Sequence, residues 1–136
     1  MSNNANTLRH HLTEVKEGNR CFENAFQGVS RMILDSEITK AVVNGKTTYD
    51  FSLFREGSKH VIGMYDEINS FVSYVKDAAE GGSSKEMAFV LVGEPGNGKT
   101  FLVEFLSAKY RDFLSKGKNR KYTFKFLNLA KLENYG

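Results

Sequence analysis

The eight residues Gly93-Glu-Pro-Gly-Asn-Gly-Lys-Thr100 constrain this chain more than any other feature, because of what flanks them: the apolar run Met87–Val92 before and an amphipathic stretch, 101–114, after. Their spacing fits G-x-x-x-x-G-K-[ST], the pattern of a phosphate-binding loop between a strand and a helix. Glycines allow backbone conformations closed to other residues, so successive N–H groups can converge on one concavity and hold phosphate oxygens. A helix beginning near Gly98 adds its positive end. Lys99 is then expected to reach the β- and γ-phosphates as a mobile point charge, and the Thr100 hydroxyl to ligate the Mg2+ that bridges them. Pro95, the single proline, sets how the chain enters the loop. A chance match in a chain of this composition has a probability on the order of 1%. Chance also gives no reason for the match to fall between an apolar run and a helical stripe. The predicted nucleotide-binding residues are therefore Gly93, Glu94, Pro95, Gly96, Asn97, Gly98, Lys99 and Thr100, with Phe101 following in the same run, and the predicted cofactors are ATP and Mg2+.

The flanks set the fold class. Met87–Val92 reads as a short strand buried on both faces, as in a parallel sheet covered by helices. Phe101, Leu102, Phe105, Leu106, Tyr110, Phe113 and Leu114 mark a helix, stopped by Gly117 with Lys116 and Lys118 near its end. Tyr122–Leu127 reads as a second strand, which completes a βαβ unit. Upstream, Met64, Ile68, Phe71, Val72, Val75, Ala78 and Ala79 share one helical face, with Asp66 and Glu67 in the first turn, where the helix dipole favours anions. That helix should end near Ala79, before the turn at residues 80–86. A further stripe, Phe22, Ala25, Phe26, Val29, Met32 and Ile33, predicts a helix between Arg20 and Asp35. Asn44-Gly-Lys-Thr-Thr48 reads as a turn and Asp50–Phe54 as a short extended or irregular piece. The expected fold class is α/β: an incomplete P-loop parallel sheet with helices on both faces, preceded by an α-helical N-terminal segment. The expected division is a helical lead-in over residues 1–58 and the first part of a P-loop domain over 59–136.

Composition narrows the surroundings. With 40% hydrophobic and 26% charged residues and eleven Phe, the chain can build a core and is not a disordered segment. No apolar run approaches the roughly 20 residues of a membrane-spanning helix. The start Met1-Ser-Asn-Asn-Ala-Asn has neither the basic end nor the apolar stretch of a secretory signal, and the lone Cys21 has no partner for an internal disulfide, so a cytoplasmic setting is expected. Cys21 reads as a small residue at a helix margin and His10-His11 as part of a polar tail. The net charge of +3 is unevenly spread, with Lys109, Arg111, Lys116, Lys118, Arg120, Lys121, Lys125 and Lys131 in the last 36 residues. The cluster Lys116–Lys121 reads as a solvated cationic turn, since no aromatic stacking platform is interleaved with it. Nucleic acid is not expected as a partner.

Beyond these local readings, His60-Val-Ile-Gly-Met-Tyr-Asp-Glu-Ile68, Tyr74-Val-Lys-Asp-Ala-Ala79, the run Leu91–Thr100 and, upstream, Arg20-Cys-Phe-Glu-Asn-Ala25 resemble the amino-terminal part of AAA+ ATPases. More narrowly they resemble the PrkA family of serine protein kinases, over about residues 20 to 127. The resemblance implies that Val61, Ile62 and Gly63 form a wall against adenine, with Met64 and Tyr65 nearby. It also implies a homo-oligomer in which ATP hydrolysis is coupled to protein phosphorylation or remodelling. The run Gly96–Phe101 is closer to the general AAA+ form than to the Gly-Gly-Gly-Lys-Ser-Ser ending usual in PrkA proteins. Those proteins are also several times longer, with a carboxyl-terminal segment proposed to hold the kinase activity.

Phosphoryl transfer further requires an acidic pair at a strand end to organise Mg2+ and water. After Thr100 the acidic residues are Glu104, Asp112 and Glu133, and none follows an apolar strand. At roughly 30 residues per βαβ step, a five-stranded sheet needs about 150 residues, whereas 50 follow Glu86. The expectation is the amino-terminal portion of a larger ATPase, one that grips nucleotide without hydrolysing it. Met87–Val92 would then lack its sheet neighbours and expose open edges. Two other readings stay open: a different P-loop NTPase such as a small nucleotide kinase, or a non-catalytic interaction module using the basic stretch Lys109–Lys131.

Overall fold

In the computed structural model, which describes residues 7–55, 63–96 and 98–127, the Thr7 hydroxyl accepts a hydrogen bond from the His10 N–H (3.2 Å) and starts helix α1, Leu8–Lys16. Gly18 ends it at φ 79°. This helix lies where the sequence suggested a polar tail. Its signals are the Thr7 cap and the i, i+4 pair Leu8 and Leu12. Described residues 7–22 and 114–127 form one compact unit, and residues 23–113 form a second. In the first unit the Arg20 guanidinium lies 4.0 Å from the Tyr122 ring centroid and 3.1 Å from His11 Nδ1. The Cys21 N–H donates to the Lys118 carbonyl at 3.0 Å, so Cys21 belongs to this unit rather than to a helix margin.

The second unit begins with a reciprocal cap. Asn24 Oδ1 accepts from the Gln27 N–H (2.9 Å) and Gln27 Oε1 accepts from the Asn24 N–H (3.0 Å), which starts helix α2, Ala25–Leu34. The predicted helix is thus present but begins after Phe22, which is left exposed. Strands β1 (Ile38–Val43) and β2 (Lys46–Phe51) pair antiparallel from Ile38 opposite Phe51 to Val43 opposite Lys46. Asn44 (φ 52°) and Gly45 (φ 73°) form the two-residue turn between them. Both positive φ values suit the Asn-Gly pair, whose turn matches the right-handed twist of the strands. The segment read as a helical lead-in therefore contains a hairpin. A 3-10 turn, Ser52–Arg55, then drives Leu53 and Phe54 into the core.

Helix α3, Tyr65–Ala79, buries Ile68, Val72, Val75 and Ala78, the face predicted from the sequence, and ends at Gly81 (φ 88°). Asn69 fastens β2 to it: the Asn69 side chain accepts from the Tyr49 N–H (3.0 Å) and donates to the carbonyls of Tyr49 (2.7 Å) and Tyr65 (2.8 Å). The Ser84 N–H donates to Asp77 at 3.0 Å, and hydrogen bonding by Ser84 holds that carboxyl below its ordinary pKa. Helix α4, Lys99–Leu114, turns the predicted apolar stripe toward the core, where the Phe105 ring stacks on Phe54 at 6.0 Å. The core joins Met32, Ile33, Phe51, Leu53, Phe54, Ile68, Val72 and Leu102. Where α4 passes α2, a Cβ on Gly28 would stand 2.7 Å from the Tyr110 hydroxyl, so only glycine permits this approach. Burial pushes the Tyr110 phenol above its ordinary pKa, with Glu23 adding to the effect.

Two sequence expectations are not met among the described residues. Met87–Val92 and Tyr122–Leu127 form no strand there, and the one sheet is the antiparallel hairpin. A strand is defined by its ladder, and among the described residues no backbone hydrogen bond joins residues 88–92 to another segment. The run keeps the period of two: Phe89 and Leu91 are half-buried, with Phe89 against Phe71 and Tyr74, while Val90 and Val92 are 71% and 89% exposed. One face is packed and the other is bare. No helix among the described residues is long and apolar enough to cross a membrane.

Candidate phosphate-binding site

Residues 93–98 bridge the extended run and α4, and the geometry follows from their glycines. Gly96 and Gly98 take φ values of 88° and 79°, conformations that side-chain-bearing residues rarely adopt. Gly98 then carries the first helical acceptor: its carbonyl receives the Leu102 N–H at 2.9 Å. The N–H groups of Lys99, Thr100 and Phe101 are consequently those of an α-helical first turn, which has no intrahelical acceptors for them, and the helix dipole is positive there. Leu102, 1% exposed, anchors this turn in the core, so the loop stands on a fixed base.

Lys99 folds back over the loop. Its ammonium donates to the carbonyls of Gly93 (2.7 Å) and Glu94 (2.5 Å). A Cβ on Gly93 would lie 3.4 Å from Lys99 Nζ, an ordinary contact, so the ammonium packs closely over this stretch of backbone. Glu94, Pro95, Gly96 and Thr100 are exposed. Phe101 instead turns its ring toward the core and Phe105, with 6.1 Å between centroids.

Of the residues expected at an adenine wall, Gly63 is exposed at φ 77°. Val61 and Ile62 lie outside the described residues, as does Asn97 of the loop. Met64 ties this element to the loop, since a Cβ on Gly98 would stand 3.4 Å from Met64 Sδ. Two segments more than thirty residues apart in sequence thus meet at the start of α4. Sequence reasoning missed the hairpin's part here: Tyr49, Asp50 and Arg55 line a cavity of about 20 Å³ together with Gly63, Met64 and Tyr65. Nothing in the sequence links those three residues to residues 63–65, and only the fold of β2 onto α3 assembles them.

Among the described residues no group of three or more His, Cys, Asp or Glu side chains stands ready to hold a metal ion. Glu104 and Asp112 are exposed on α4, and Glu133 lies outside the described residues. The cations Lys116, Lys118, Arg120 and Lys121 are exposed in and around a 3-10 turn, Gly117–Asn119, that follows α4.

A family model describing the PrkA AAA domain matches residues 6–114, which takes in the loop, α4 and the elements before them. No curated protein and no solved structure matches the chain.

Proposed function

The chain belongs to the PrkA AAA-domain family, and from that premise we propose that it binds ATP by its triphosphate in the loop 93–100, with Val61, Ile62 and Gly63 against the adenine. One observation carries this reading: two glycines at positive φ lead directly into the amino end of α4, with Lys99 on the first helical turn. Backbone N–H groups there suit anionic oxygens. The ammonium of Lys99 now rests on two neutral carbonyls of its own loop, Gly93 and Glu94. Exchange of these acceptors for phosphate oxygens pairs the ammonium with an opposite charge instead of a neutral carbonyl dipole. Lys99 is thus a gripping residue whose resting partners are weaker than its working ones.

Mg2+ fits as a companion of the nucleotide rather than as a resident ion. Thr100, exposed on the first turn of α4, offers a hydroxyl oxygen, and Mg2+ commonly takes its remaining ligands from phosphate and water. When bound, the ion would neutralise charge between the phosphates. The proposal covers binding and not turnover, because Glu104 and Asp112 are exposed on a helix surface rather than at a strand end. The parallel sheet belongs to the same proposal: Met87–Val92, with its bare Val90 and Val92 face, becomes a strand when neighbours are supplied. So do the division at residues 58 and 59 and a cytoplasmic homo-oligomer, whereas coupling of ATP to protein phosphorylation or remodelling is proposed only for a protein that also carries the hydrolysing residues.

Titration of a fluorescent ATP analogue against wild type and Lys99→Ala tests the reading. The expected result is a Kd raised tenfold or more in the variant, a loss of about 1.4 kcal/mol or greater. Equal affinity for both proteins would overturn it.

A further inference from the structure

We infer that the hairpin supplies a base-reading edge to the nucleotide site: Asp50, held by Arg55 at the cavity beside Gly63, accepts a hydrogen bond from the 6-amino group of adenine and disfavours guanine. The inference rests on the phosphate-loop reading above and adds residues to which the family resemblance assigns no role.

Four observations support it. First, the cavity lined by Tyr49, Asp50, Arg55, Gly63, Met64 and Tyr65 adjoins the phosphate loop across a single side chain, Met64, whose Sδ is 3.4 Å from the Cβ position of Gly98. Second, at about 20 Å³ the cavity has room for one water-sized group. It therefore takes an exocyclic substituent while the ring lies across the mouth. Gly63 leaves that mouth clear, with nothing within 4 Å of where its Cβ would be. Third, the Asp50 side chain is 17% exposed and Oδ2 receives Arg55 Nη1 at 3.1 Å. That ion pair fixes the carboxylate in place, and a carboxylate retains acceptor capacity beyond one such bond. Fourth, the three hydrogen bonds of Asn69 to Tyr49 and Tyr65 lock the backbone on either side of the mouth. Both tyrosines are partly exposed and offer ring faces for a base.

The discrimination follows from base chemistry. At position 6 adenine presents an amino donor where guanine presents a carbonyl acceptor. A carboxylate facing the first gains a hydrogen bond. Facing the second, it sets acceptor against acceptor and leaves both desolvated, the kind of mismatch by which polar sites reject analogues.

Isothermal titration of the whole chain with MgATP, MgGTP and magnesium tripolyphosphate tests this, using wild type, Asp50→Asn, Tyr65→Ala and Lys99→Ala. Wild type is expected to favour ATP over GTP at least tenfold. Asp50→Asn should bring that ratio below threefold, because an amide can also donate to the guanine carbonyl, and should leave tripolyphosphate affinity within twofold of wild type. Lys99→Ala should weaken all three ligands. An unchanged ATP to GTP ratio in Asp50→Asn, with ATP still bound, would overturn the base-reading inference and leave the phosphate loop standing. Failure of wild type to bind any of the three would overturn both. If Asp50→Asn loses tripolyphosphate as well, its fold is disturbed and Tyr65→Ala decides: weakened ATP with intact tripolyphosphate supports the base site, and unchanged ATP affinity sinks it.

Discussion

Ile38–Val43 and Met87–Val92 are both six-residue runs rich in β-formers, and only the first forms a ladder. Ile38–Val43 is the less apolar, with Thr39 and Lys40 inside it, yet it pairs along its whole length with Lys46–Phe51. Met87–Val92 is apolar throughout and pairs with nothing among the described residues. The difference is the distance to a partner. A two-residue Asn44-Gly45 turn closes the hairpin at small entropic cost and fixes its register, whereas the second stretch has no neighbour of that kind. Apolar content draws a segment to a core, but hydrogen-bond partners make it a strand. The same contrast bears on the proposed function, because the hairpin edge borders the proposed base site while the run that leads into residues 93–98 is packed on one face only.

The largest expected break in this contrast is Phe54→Ala. Phe54, 2% exposed at the exit of the hairpin, stacks on Phe105, and its removal should cost about 3–5 kcal/mol. Urea denaturation followed by circular dichroism should read a large loss of stability, and a loss below 1 kcal/mol would mean the hairpin is not anchored there. Next is Gly45→Val, which puts a β-branched residue at φ 73° and should cost about 1–2 kcal/mol. An unchanged denaturation midpoint would show that the turn does not set the register. Asn69→Ala should follow at about 1 kcal/mol, since it strips the partners from both backbone groups of Tyr49. Its sharper readout is faster amide exchange at Tyr49, with the other amides of β2 holding their protection. The smallest effect belongs to the unpaired run: Val90→Thr with Val92→Thr should shift stability by no more than about 0.5 kcal/mol, as both side chains are exposed. Light scattering should nevertheless find fewer aggregates in the double variant. A loss comparable with that of Phe54→Ala would mean this face is packed in solution, and the comparison would collapse.

Much of the geometry of the candidate site was legible in advance because it is local. The glycine spacing, Lys99 and the helix behind it occupy a few consecutive residues, and the core face of α3 was written in its 3.6-residue period. Helix α1 was legible too, through Thr7 and Leu8–Leu12, but passed as a tail because its two histidines look polar. The strand assignment at 87–92 failed for a stated reason: an apolar run reports that burial is favourable, not what will bury it. The shared cavity of Tyr49, Asp50 and Arg55 with Gly63 and Tyr65 was not legible, since it depends on Asn69 drawing β2 against α3.

By itself the sequence determined the glycine backbone between residues 93 and 98, the helix faces and a turn starting at Asn44, read as far as Thr48 although Lys46–Thr48 belong to β2, because steric limits on φ and the period of apolar residues act within a few positions. Only the tertiary structure decided that Met64 touches the loop at Gly98 and that a hairpin edge borders Gly63, because packing against a shared core joins residues that no local rule connects. It also decided that Val90 and Val92 stay bare, since a ladder requires hydrogen-bond partners that the apolar pattern of a single segment cannot supply.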